Sequence, residues 1–90
     1  MLNKYLVEFL GTALLSFVIF ATGNYLAIGA ALAVSVLIGG KISGGAFNPA
    51  IATALYFAGK LSRRNLLPYI IMEILGAIMG LKMYHYMINR

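Results

Sequence analysis

Apolar positions run through the chain in long blocks, broken only by short polar or glycine-rich stretches. The longest charge-free run, residues 9–40, lies between Glu8 and Lys41. A spanning helix needs roughly 20 apolar residues, so this run holds two short spans joined by a turn. The pattern predicts four helices. The first covers residues 5–21 and stops at the turn dipeptide Gly23-Asn24. The second covers residues 25–40, where Gly39-Gly40-Lys41 interrupts the apolar pattern. The third is short, starting at Pro49 and ending near Gly59, and the fourth covers residues 66–88. Pro68 falls near the start of the fourth, where the amide that proline lacks has no intrahelical partner anyway.

The short segment is the anomaly. Residues 49–58 make about 15 Å of helix at 1.5 Å per residue, half the thickness of a bilayer core. Yet Ile51, Ala52, Ala54, Leu55, Phe57 and Ala58 make it apolar nearly all round, so water does not suit it. A half-length apolar helix led in by the polar, glycine-rich stretch Ser43-Gly44-Gly45-Ala46-Phe47-Asn48 reads as a re-entrant segment. Non-helical backbone at membrane depth survives only inside protein or beside a water-filled cavity. The expected architecture is therefore an all-α membrane protein, with three transmembrane helices and one re-entrant half-helix in a single domain over residues 1–90.

Composition agrees with this. Of all residues, 62% are hydrophobic and 10% charged, too little polar material for the outer face of a soluble domain. The net charge of +5 raises nucleic acid as a partner, but the basic residues sit at the chain ends and in one patch, Lys60-Leu61-Ser62-Arg63-Arg64. Between apolar spans such a patch marks a cytoplasmic loop instead. Lys4, Lys41, Lys60, Arg63 and Arg64 on one side, against Lys82 and Arg90 on the other, place the N-terminus in the cytoplasm. The membrane is then the cell's inner or plasma membrane. A cleaved signal peptide is the competing reading of the first apolar run, with Phe20-Ala21-Thr22-Gly23 as cleavage neighbourhood. Glu8 early in that run, and apolar sequence resuming at Tyr25, favour a membrane helix. There is no Cys and no Asp, one His, and two Glu on different helices. No nucleophile–base pair, metal cluster or cofactor site follows from that inventory.

The re-entrant turn carries the chemistry. Asn48 before Pro49 is an N-cap followed by a first helical residue, since the Asn side chain caps and proline's fixed φ suits that position. The positive end of the half-helix dipole then sits near the bilayer centre. Gly44 and Gly45 allow the tight path into it. A polar uncharged molecule there meets carbonyl acceptors, then an amide donor, in a field that repels cations. An ordinary helix start is the bland reading of Asn-Pro taken alone.

The wider sequence resembles the N-terminal half of the aquaporin and glycerol-facilitator (major intrinsic protein) family. The resemblance rests on Glu8-Phe9-Leu10-Gly11-Thr12, on Ile42-Ser43-Gly44-Gly45 leading to Asn48-Pro49-Ala50, on Leu67-Pro68-Tyr69-Ile70-Ile71, and on Leu75-Gly76-Ala77, with matching spacings. It implies half of an inverted-repeat channel, in which two half-helices meet at mid-membrane and two Asn side chains donate to the permeating molecule. Carried over by position, Asn48 is the pore donor and Gly44, Gly45, Ala46 and Phe47 supply carbonyls. Ile28 stands at the constriction, where an aromatic residue is frequent in the family. Glu8 resembles the glutamate that braces a re-entrant loop, and Glu73 stands where Gln is commoner. Lys41 and Ala46 replace histidines usual in this region, and Ile51 follows Pro49-Ala50 where the family's second half has Arg. These departures argue against a tight water-only filter.

Glu8-Phe9-Leu10-Gly11 and Glu73-Ile74-Leu75-Gly76 are near copies that put Glu and Gly on one helix face. Gly lets another helix approach closely, as does the Gly76-x-x-x-Gly80 spacing. A carboxylate at this depth needs a partner or a cavity, so both Glu8 and Glu73 are expected to brace a loop, with a proton relay as the alternative. Tyr84 and His85 anchor the last helix at the interface, and Met72, Met79 and Met83 face lipid or other helices. One half encloses no pore. The expected partners are the lipid bilayer, water or small neutral solutes such as glycerol, and a second half-channel. That second half is an antiparallel copy of the chain or a separately made C-terminal half. The alternative is a truncated fragment or membrane interaction protein that conducts nothing.

Overall fold

A computed structural model describes residues 3–89. Four helices follow one another: α1 Lys4–Thr22, α2 Tyr25–Ser43, α3 Pro49–Phe57 and α4 Arg63–Asn89. No strand occurs among the described residues. α1, α2 and α4 are long and apolar enough to cross a membrane, with mean hydropathies of 1.8, 1.9 and 1.6. α3, at 9 residues, is the half-length element. The architecture is thus the one the apolar pattern predicts.

Local chemistry explains the boundaries. The Gly23-Asn24 dipeptide ends one helix and starts the next. Gly23 takes the left-handed conformation (φ 57°) while its N–H donates to the Ile19 carbonyl, and Asn24 Oδ1 accepts from the Leu26 and Ala27 amides. α2 does not stop at Gly40 but runs on to Ser43. Gly39 serves packing rather than breakage, because a Cβ there would lie 2.6 Å from Val7 Cγ1 of α1. The helix ends at Gly44, whose φ of 92° closes it.

α4 starts at Arg63, earlier than the hydropathy pattern places it. Ser62 opens it, its carbonyl and Oγ both accepting from the Asn65 N–H at 3.0 and 3.3 Å. Pro68 is therefore inside the helix instead of in its first turn, and the Arg64 carbonyl loses its usual i+4 donor. α3 stops at Phe57, short of Gly59. Arg90, counted above with Lys82, lies outside the described residues.

The helices close on one another through small residues. A Cβ on Gly76 would run into the Phe9 carbonyl oxygen, and one on Gly80 into that of Ala13. α4 thus lies against the backbone of α1 along the Gly-x-x-x-Gly face, the contact that van der Waals packing rewards in a membrane. Ser16 Oγ donates to the Ala77 carbonyl across the same seam at 2.7 Å. At its polar end, Tyr5 Oη donates to Asn65 Oδ1 at 2.6 Å, so Lys4 and Arg63 share one end of the bundle. Leu37, Ile38, Leu67, Met79 and Met83 remain exposed, as an acyl-chain boundary requires.

Candidate functional site

Residues 43–48 link α2 to α3 by an unusual path. Gly44, Gly45 and Phe47 all have positive φ, at 92°, 70° and 53°. Glycine adopts this freely, but for Phe47 the left-handed conformation costs roughly 1–2 kcal/mol. Two contacts hold it there. The Phe47 N–H donates to Glu8 Oε1 at 2.8 Å. The Phe47 ring, 2% exposed, fills a notch between α1 and α2 that exists because Gly11 and Gly39 lack side chains. A Cβ on Gly11 would overlap that ring.

Glu8 also accepts from Ser43 Oγ through Oε2 at 2.6 Å. Ser43 Oγ in turn accepts from the Gly45 N–H at 3.2 Å, and the Ser43 carbonyl accepts from Tyr69 Oη at 2.7 Å. Tyr69 stacks edge-on against Tyr5, ring centroids 6.0 Å apart. Ser43 and Tyr69 thus hold the turn, though neither was picked out for that role from sequence. Both roles rest on partners far away in the sequence, which no local pattern marks.

Asn48 is extended (φ −162°) and caps α3, its Oδ1 accepting from the Ala50 N–H at 2.8 Å. Pro49 occupies the first helical position. Asn48 is exposed, and its Nδ2 donors make no bond within the described chain. The carbonyls of Gly44, Gly45, Ala46 and Phe47 likewise accept none among the described residues. Asn48 and Pro49 face an open recess of about 470 Å³ that Thr12, Leu15, Phe20 and Glu73 also line. Thr12 Oγ1, buried there, has no partner among the described residues.

Other candidates lie elsewhere or differ from expectation. Ile28 is half-buried on α2, 15 residues before Ser43, or about 22 Å of helix away at 1.5 Å per residue, and it does not line this recess. Glu73, expected as a second brace, is fully buried, but neither of its oxygens has a hydrogen-bond partner among the described residues. Ala50 and Ile51 are exposed at the start of α3. His85 is exposed near the end of α4, next to Tyr84, which stacks on Phe20 with centroids 6.2 Å apart. No group of His, Cys, Asp or Glu that could hold a metal occurs among the described residues.

Three apolar spans around a capped half-helix define an all-α integral membrane protein. The family model "Major intrinsic protein" matches residues 1–90, and the chain belongs to that family, whose members are passive channels and not enzymes. The chain is 41% identical over 88 residues to a glycerol uptake facilitator protein-like 6 of Lactiplantibacillus plantarum, covering 88% of this chain and 41% of that protein. It is 39% identical over 94 residues to aquaporin Z of Brucella melitensis, covering 87% and 41%. With an aquaglyceroporin of Rhizobium meliloti it shares 41% over 66 residues, 73% and 28%. The chain thus spans less than half the length of these relatives. No solved structure gives a significant match.

Proposed function

We propose that the chain is one half of a channel for passive permeation of water or small uncharged solutes such as glycerol, completed by a second half in inverted orientation. The observation that carries this is Asn48. It caps a half-length apolar helix while its Nδ2 donors remain free and exposed on a recess open to one side. A hydroxyl-bearing solute accepts from Asn48 Nδ2 and donates to the free carbonyls of Gly44, Gly45, Ala46 and Phe47. Cations meet the positive end of the α3 dipole and are turned away. Relatives named as glycerol facilitator and aquaporin support this solute class.

Among the described residues the recess is walled by α1, α4, the turn and the first residue of α3. Inverted repeats build their site at the repeat interface, so the missing wall comes from an antiparallel copy or from a separately made second half. Lys4, Lys41, Lys60, Arg63 and Arg64 then mark the cytoplasmic end in an inner or plasma membrane, with Ile28 towards the opposite end of α2. Osmotic shock of liposomes holding this chain alone tests the assembly. Shrinkage faster than in empty liposomes supports the antiparallel pair. Equal rates remove self-pairing and leave a separate second half or a chain that conducts nothing.

A further inference from the structure

Glu8 and Glu73 are the whole acidic side-chain inventory of the sequence, and both are fully buried in the same place. Glu8 has a donor for each oxygen, the Phe47 N–H at 2.8 Å and the Ser43 hydroxyl at 2.6 Å. Glu73 lies within hydrogen-bonding reach of the Glu8 carboxyl and beside the Asn48 backbone N–H. Yet no donor meets either of its oxygens in bonding geometry among the described residues. The titratable groups around the pair are Tyr5 of α1 and Tyr69 of α4, and neither is a cation. From α2 comes only the Ser43 hydroxyl, and from the turn the Phe47 and Asn48 amides.

Two carboxylates sharing one buried site do not both ionise. Donors directed at a carboxylate stabilise its charged form, and Glu8 has two of them where Glu73 has none. A carboxylic acid also supplies an O–H donor, which a carboxylate lacks. We infer that Glu8 and Glu73 hold one proton between them, with Glu73 as the acid whose O–H donates to the Glu8 carboxylate. The pair is then a singly charged clamp, seated under the consecutive amides of Phe47 and Asn48. Glu73 is a positioning residue, acting on Asn48 through Glu8. Two oxygens that no donor meets belong to an acid that itself donates, not to a carboxylate left bare.

The sequence makes the test clean, because no Asp and no other Glu contribute to the carboxyl region of an infrared spectrum. The full chain in bilayers of ether-linked lipid, which has no ester carbonyl, should show at neutral pH the C=O stretching band of a protonated carboxylic acid, and Glu73→Gln should lack it. Amide hydrogen exchange then separates positioning from mere packing. Glu73→Gln keeps an N–H donor to Glu8 and should leave exchange at Phe47 near native. Glu73→Leu keeps the bulk without the donor and should speed it about tenfold, the scale of one lost hydrogen bond to a charged acceptor. No such band in the native chain, a band that survives Glu73→Gln, or equal exchange in the Gln and Leu variants overturns the inference. Should Glu73→Leu not insert, the band in native chain against Glu73→Gln decides alone. Neither readout needs a completed pore.

Discussion

The re-entrant turn has two sides, and they are built on opposite rules. On the side facing the helix bundle, its polar groups are bonded and its apolar ring is enclosed. Phe47 N–H and Ser43 Oγ meet Glu8, Tyr69 Oη meets the Ser43 carbonyl, and the Phe47 ring fills the Gly11–Gly39 notch. On the side facing the recess, Asn48 Nδ2 and Thr12 Oγ1 have no partner in the described chain, nor do the carbonyls of residues 44–47, of which Phe47 lines the recess. A membrane interior makes every unbonded polar group costly. The contrast therefore separates what fixes the turn from what is kept for a solute or a second half.

Substitutions on the two sides should behave differently, and the largest effect belongs to the bonded side. Glu8→Leu strands the buried Phe47 N–H and leaves Ser43 Oγ only the Gly39 carbonyl at 3.3 Å, so thermal unfolding of the reconstituted chain should shift by about 2–4 kcal/mol. Native-like stability in that variant would mean that the clamp does not hold the turn. Gly80→Val drives a side chain into the α1 backbone and should cost about 1–3 kcal/mol by the same measurement.

Gly11→Ala collides with the Phe47 ring and should cost about 1–2 kcal/mol, a penalty that should shrink in a Phe47→Ala background. An unchanged penalty in the double variant would place the strain elsewhere. On the recess side, Asn48→Asp retains a capping oxygen but loses the amide donors. Its stability should stay within about 0.5 kcal/mol of native while permeation falls. The smallest effect belongs to Thr12→Val, which removes a hydroxyl that bonds nothing and should move stability by less than about 0.5 kcal/mol.

The bonded side and the open side were not equally legible in the amino-acid sequence. Charge-free runs and turn dipeptides gave the spans, and Asn48-Pro49 gave the capped half-helix, because these depend on local composition and backbone chemistry. The end of α2 is not legible locally, because Gly39-Gly40 looks the same whether it breaks a helix or admits a neighbour, and Val7 decides which. The start of α4 was hidden by the polar run Arg63-Arg64-Asn65, which carries no apolar pattern. The roles of Ser43 and Tyr69 arise from contacts across 35 and 26 positions of sequence, beyond any local signal. Glu8 and Glu73, near copies in sequence, differ because only Glu8 faces donors of the turn.

Asn48 is where both sides meet, and its amide donors carry the functional claim. The most direct test is stopped-flow light scattering on membrane vesicles from cells that make the chain at its own level, alongside whatever completes it, native against Asn48→Asp at equal abundance. Native vesicles should change volume faster than Asn48→Asp vesicles under a water or glycerol gradient. Equal rates for both solutes would contradict that claim.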